Sequence, residues 1–237
     1  MTIEEYLEFM MQWKKEYETV VDKKAKLQEL QAKMPEFETL YWAIFEDMKG
    51  REGYDKLKSF IQKSDFMKAP ASTKYHNDFE GGLLIHSLNV YCCLYEKRKS
   101  PIWRDKLSRL DDNSLALITL CHDFHKLYFY ITDYKNQKIY SEQGSKSDSK
   151  GKYDWETVPY YTVDDKYPLG VGERSVIFLM QLLPMKMHEI MAVRWHHGFA
   201  VPKDEFKMFE DAIKKFPEAL ALHQADCEAS ELLEAIV

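Results

Sequence analysis

His122 and Asp123 stand side by side in LALITLCHDFHKLYFY, Leu115 to Tyr130, inside an otherwise almost unbroken apolar run. A buried carboxylate beside a buried imidazole is costly unless something pairs with both. A divalent ion satisfies them together, because imidazole nitrogen and carboxylate oxygen both ligate such ions. His125 and Lys126 follow within one helical turn, which places a cation where a phosphate group on the metal would sit. Taken alone, the dipeptide is more often a satisfied core pair than a site. Three further stretches change that balance: GGLLIHSLNVY with His86, MAVRWHHGFA with His196 and His197, and ALHQADCEAS with Asp226. Each puts His or Asp where an apolar helix would take Leu or Ala, and four such violations in one chain point to a shared cause.

The order His, His-Asp, His, Asp on successive helices resembles the HD-domain metal-dependent phosphohydrolases. The stretches APASTKYHNDFEGGLLIHSLNVY, LCHDFHKLYFY, VPYYTVDDKYPLG, AVRWHHG and ALHQAD are similar to HD hydrolases common in phages and bacterial mobile elements. GGLLIHSL, HDFHK, HHG and ALHQAD are also similar to the HD domain of bacterial 3′-to-5′ exoribonucleases. The resemblance runs from about Ser64 to the C-terminus. Carried over residue by residue, it implies His86, His122, Asp123 and Asp226 as the ligands of one divalent ion, with Mn, Fe, Co, Ni or Zn favoured over Mg by the nitrogens. It implies hydrolysis of a phosphoester or phosphoanhydride by attack of a metal-bound water. Asp123, Lys126, His125, His196 and His197 are the candidate catalytic residues, with Glu173 an alternative acid or base. Lys126, Arg194, His76 and Lys74 are the candidate substrate contacts. His223 reads as structural or as a support for a ligand, and His188, beside a surface-like Glu189, has no assigned role.

One departure matters. Relatives usually carry a histidine between the glycines of the stretch written here PLGVGERS, and this chain has Val171. Where HD proteins hold two ions, that histidine serves the second, so a mononuclear site is expected. Loss of turnover, leaving a nucleotide-binding module, is an alternative.

Such ligands must be brought together by helices, and the pattern predicts an all-α fold: an HD-domain helical bundle with a small β-ribbon insertion and an N-terminal helical appendage. Residues 1–70 form the appendage and 71–237 the core, with the insertion at 132–169. Residues 2–33 contain no Gly or Pro and predict one long helix stopped at Met34-Pro35. Gly81-Gly82 leads into a helix carrying His86. The stretch 115–130 reads as a helix buried all round, and Pro217 to the end as the last helix, with His223 and Asp226 on one face. The insertion holds Tyr134, Tyr140, Tyr153, Trp155, Tyr160, Tyr161 and Tyr167 around a polar tip, GSKSDSKGK, which predicts a ribbon whose aromatics cover the cleft or stack on a base.

Composition bounds the partners. The chain has 237 residues, is 45% hydrophobic and 30% charged, and carries a formal charge of −6. That balance disfavours broad nucleic-acid binding through a basic surface and favours a small phosphorylated substrate such as a nucleotide, with short single-stranded nucleic acid as the alternative. Cys92, Cys93, Cys121 and Cys227 form no CxxC pair and read as reduced, buried thiols. No apolar run approaches the roughly 18 residues of a membrane span and the acidic N-terminus lacks a signal-peptide pattern. A cytoplasmic monomer or homodimer is expected, in the bacterial host if the chain is phage-encoded.

Overall fold

A computed structural model describes residues Met1–Ala235. It corrects the all-α expectation: the chain is 55% helical and also carries a three-stranded antiparallel sheet, with 12% of residues in strands, so it is helical with a small sheet. The helices are α1 (Ile3–Thr19), α2 (Lys23–Ala32), α3 (Met34–Phe45), α4 (Tyr54–Lys63), α5 (Gly82–Lys99), α6 (Asp112–Leu120), α7 (Val171–Met180), α8 (Met187–Arg194), α9 (Phe206–Lys215) and α10 (Pro217–Leu232). None of the described helices is long and apolar enough to cross a membrane.

The N-terminal stretch is two helices rather than one. Val20 is extended, and Asp22 caps α2 by accepting from the Ala25 amide, a side-chain cap that a β-branched Val20-Val21 pair favours over continued helix. Pro35 does not stop a helix; it lies in the first turn of α3, where its missing N–H costs nothing. The final helix ends at Leu232, and the remainder of the expected run to the end reaches residues 236–237, outside those described.

Helix α5 is the axis of the fold. Every residue from Gly82 to Cys92 is buried, because α10, α6, α3 and α1 all pack on it. Tyr6, Met10, Phe37, Tyr41 and Phe45 from the first three helices join Leu84, Leu88, Leu117 and Leu222 in one apolar core. A helix closed in on all sides fixes every side chain it carries, His86 among them. Cys92 and Cys121 are buried, but Cys93 is half-buried and Cys227 exposed, correcting the expectation that all four lie inside.

The strands are β1 (Tyr130–Tyr140), β2 (Lys146–Asp148) and β3 (Gly151–Val163), ordered β1-β3-β2. β1 and β3 pair without interruption from Tyr130↔Val163 to Tyr140↔Tyr153. The polar tip supplies the third strand, β2, through Lys146↔Tyr153 and Asp148↔Gly151.

Candidate metal centre

The expected helix from Leu115 to Tyr130 ends early. α6 stops at Leu120, Cys121 leaves helical geometry, and a 3-10 turn spans Phe124–Lys126. His122 Nδ1 lies 2.8 Å from the Thr119 carbonyl, so the ring satisfies a carbonyl that the helix end leaves open. The continuous apolar run hid this break, since burial on all sides looks the same in a helix and in a turn. His122 and Asp123 thus sit on a tight bend, facing into the protein.

Three imidazoles are anchored in the same way. His122 Nδ1 faces Thr119 O at 2.8 Å, His196 Nδ1 faces Val193 O at 2.7 Å, and His86 Nδ1 faces Glu234 Oε1 at 2.9 Å. Each acceptor selects the Nδ1–H tautomer and leaves Nε2 with a lone pair. The Nε2 atoms converge. His86 Nε2 lies 3.2 Å from His122 Nε2, 3.3 Å from Asp123 Oδ2 and 3.2 Å from Asp226 Oδ1. His122 Nε2 is 3.5 Å from Asp123 Oδ2, and His196 Nε2 is 3.3 Å from Asp123 Oδ1.

These spacings fit a shared ion, since donors about 2.0–2.2 Å from one metal stand roughly 3.0–3.6 Å from each other. Asp123 is 2% exposed, and its two oxygens and His196 Nε2 are buried with no hydrogen-bond partner apart from the Lys126 ammonium, 2.6 Å from Oδ2. Such orphaned groups in an apolar interior are expensive, and a cation relieves all three. Metal-capable groupings include His86/His122/Asp123 and His122/His196/Asp226. The donor set of imidazoles and carboxylates therefore suits a divalent transition ion. A further grouping, Asp123/His125/His197, lies on the Oδ1 side of the same carboxylate.

The electrostatics follow from this crowding. Burial resists ionisation of Asp123, but Lys126, His122 and the bonds from His196 and His86 hold its carboxyl well below the usual range. Asp226 is likewise held low against burial by His86 and His122. Burial alone would discharge His86, yet Glu234, Asp123 and Asp226 raise it well above an ordinary imidazole, so an ion bound there would displace its Nε2 proton. His122 is pushed down to about 4 by burial, and His197 down to about 3 by burial and its neighbour His196. Burial also keeps His125 neutral, with Lys126 and His197 adding to the effect. Lys126, 2.6 Å from Asp123 Oδ2, stays charged although burial opposes it.

The remaining candidates divide. His76 lies against the site, its Nδ1 2.5 Å from Glu234 Oε2. The Lys74 ammonium lies over the Tyr75 ring. Arg194 forms ion pairs with Glu173 and Glu205 and lies over the Trp195 ring, so both the proposed phosphate contact and the alternative acid or base are engaged with each other. His223 Nδ1 is 2.8 Å from the His196 carbonyl and steadies the turn that carries that ligand.

Several supporting residues had no part in the motif reading. Glu234 is fully buried between His86, His76 and Asn89; its signal in the sequence is a lone acid in the apolar run Leu232-Leu233-Glu234-Ala235. Ser175 on α7 takes the His125 amide at 3.0 Å and stands 3.2 Å from the His125 ring nitrogen. Glu189, read as surface-like, is fully buried: it forms a bidentate pair with Arg51, at 2.8 and 2.6 Å, and accepts from Ser114. It fixes α8 to α6, hence His196 to His122. Gly172 admits the backbone of Arg194, which occupies the space of a Cβ, so α7 approaches α8 closely.

No family model matches the chain, nor does a curated protein or a solved structure.

Proposed function

We propose that this protein is a metal-dependent phosphohydrolase of the HD type acting on a nucleotide or related small phosphoester. The observation that carries the reading is the convergence of three Nε2 atoms, each from a histidine anchored through Nδ1, on the carboxylates of Asp123 and Asp226. His86, His122, Asp123 and Asp226 would hold the ion, with His196 beside them. A divalent cation bound there supplies Lewis acidity toward a phosphoryl oxygen and acidifies water.

The chain's own residues supply the rest. Lys126 places a permanent positive charge next to Asp123, where it offsets charge developing on phosphoryl oxygens. His125 and His197 are held neutral and face Asp123 Oδ1 at 3.5 and 4.0 Å, so either can accept a proton as water attacks. Phe124, Leu127 and the α5 core exclude bulk water from one side of the site and strengthen these interactions. A panel of nucleotides, cyclic nucleotides and short oligonucleotides, run beside Asp123→Asn, tests the proposal. Hydrolysis of a phosphoester that the substitution abolishes supports it; activity indifferent to the substitution overturns it.

A further inference from the structure

The aromatic residues of the ribbon are sorted onto one face. Partners across an antiparallel pair share a face, and successive residues alternate. On the face of Tyr130 the rungs are Tyr130/Val163, Thr132/Tyr161, Tyr134/Pro159, Asn136/Thr157, Lys138/Trp155 and Tyr140/Tyr153. All but Asn136/Thr157 carry an aromatic ring. The opposite face has Ile131, Asp133, Lys135, Gln137 and Ile139 against Thr162, Tyr160, Val158, Glu156 and Asp154. Its one aromatic, Tyr160, bonds Asp133.

The sorting is not made by a core. Trp155 and Tyr140 touch Tyr153, and Lys138 lies over Trp155, yet Tyr134 is 66% exposed, Trp155 51% and Tyr140 43%, so much of each ring remains open to water. The two faces also differ in charge: this one carries Lys138 and Lys146 with Asp148, which lies 2.6 Å from Lys138, while the other carries Lys135 and Lys152 against three strand carboxylates, Asp133, Asp154 and Glu156. Its inner end reaches the metal centre. Tyr130 lies within electrostatic reach of Lys126, Asp123 and His86, and ring contacts run from His125 to Phe129 to Tyr130, with centroids 6.3 and 5.2 Å apart.

We infer that this face is a stacking track for a short single-stranded oligonucleotide whose end it delivers to the metal centre. Rungs on one face repeat every roughly 6.6–6.8 Å, about twice the 3.4 Å rise of a stacked strand, which suits bases splayed one per rung. Aromatic platforms bind single strands without reading sequence, and Lys146, beside the Lys138–Asp148 pair, gives the face the net positive charge that one or two nearby phosphates need. The inference rests on the phosphohydrolase reading and names its substrate class; a second copy of this chain is the competing occupant.

The test measures fluorescence anisotropy of labelled oligo(dT) and oligo(U), about ten nucleotides long, on full-length Asp123→Asn, so that the probe stays intact. The expected result is binding that Tyr134→Ala/Trp155→Ala weakens at least about tenfold while Tyr134→Phe/Trp155→Phe retains it. Gln137→Ala/Glu156→Ala on the opposite face should leave it unchanged, and the salt slope should correspond to about two phosphates. Absence of binding, equal losses on both faces, or a slope of many phosphates would overturn it. So would a dimer that the alanine pair dissociates without any oligonucleotide affinity. Because binding is read without turnover, its failure leaves hydrolysis of mononucleotides standing, and failure of hydrolysis leaves the track standing.

Discussion

Glu234 Oε1 lies 2.9 Å from His86 Nδ1, joining the C-terminal segment to the central helix at a candidate metal ligand. A carboxylate behind an imidazole fixes its tautomer and orientation and makes its far nitrogen a better donor. Glu234→Ala should therefore weaken divalent-metal affinity by about 10- to 100-fold, read by calorimetric titration with Mn or Co. Glu234→Gln, whose amide oxygen can still accept from Nδ1, should lose less. Equal affinity in all three proteins would deny Glu234 this role.

Asp123 links two donor groupings, His86/His122/Asp123 through one side and His125/His197 through the other. Asp123→Asn should strip bound metal and reduce phosphoester hydrolysis to background while leaving the helical circular dichroism intact. Metal content by plasma emission spectroscopy checks the first part. An unchanged ion count would remove Asp123 from the ligand set.

Lys126 separates substrate stabilisation from metal binding. Lys126→Met should retain the ion and lower the turnover rate by roughly 10²- to 10³-fold, the range for loss of one electrostatic stabiliser. Loss of metal instead would make the lysine a support for Asp123 alone.

Acid stability should report the Arg51–Glu189 pair. Burial resists the Glu189 charge, but Arg51, Ser114 and the Lys186 amide lower its carboxyl from 4.5. At the opposite side of the same junction, partial burial works against Asp111, yet Lys186 and the Ser114 cap draw it from 3.8 to about 2. Both values are depressed in the folded state, so their stabilisation is full above about pH 4.5 and is lost as pH falls through the folded values, down to about 2. Glu189→Gln should cost about 3 kcal/mol near neutrality, because it strands a buried guanidinium. It should also flatten the acid limb of a urea-denaturation series, and a limb that keeps its slope would place the linkage elsewhere.

Gly172→Ala should be destabilising out of proportion to its size. The added methyl would meet the Arg194 carbonyl, a backbone atom that cannot swing aside, so α7 must back away from α8 and take Ser175 from His125. A drop in thermal midpoint together with slower hydrolysis is expected, as Ser175 no longer holds His125; a silent substitution would show that the two helices have slack.

The candidate donors were legible because His or Asp interrupts the hydrophobic pattern at His86, His122, Asp123, His196 and Asp226. Their geometry was not, since the apolar run that frames His122 reads identically whether α6 continues or bends at Cys121. Val20 to Asp22 hid a helix boundary in the same way, a cap without Gly or Pro. Glu234 and Glu189 were overlooked because an isolated acid carries no spacing signal; only the fold shows that each meets a cation or an imidazole. The ribbon's rings were visible as a list, but their common side depends on a register that no single strand specifies.

Two of the histidines, His122 and His196, are tethered to carbonyls only three residues earlier in the chain. Folding of the local bend therefore aims the ring before any ion arrives. Chelators should consequently silence the protein without melting it, and re-addition of the ion should restore function at the speed of diffusion rather than of refolding.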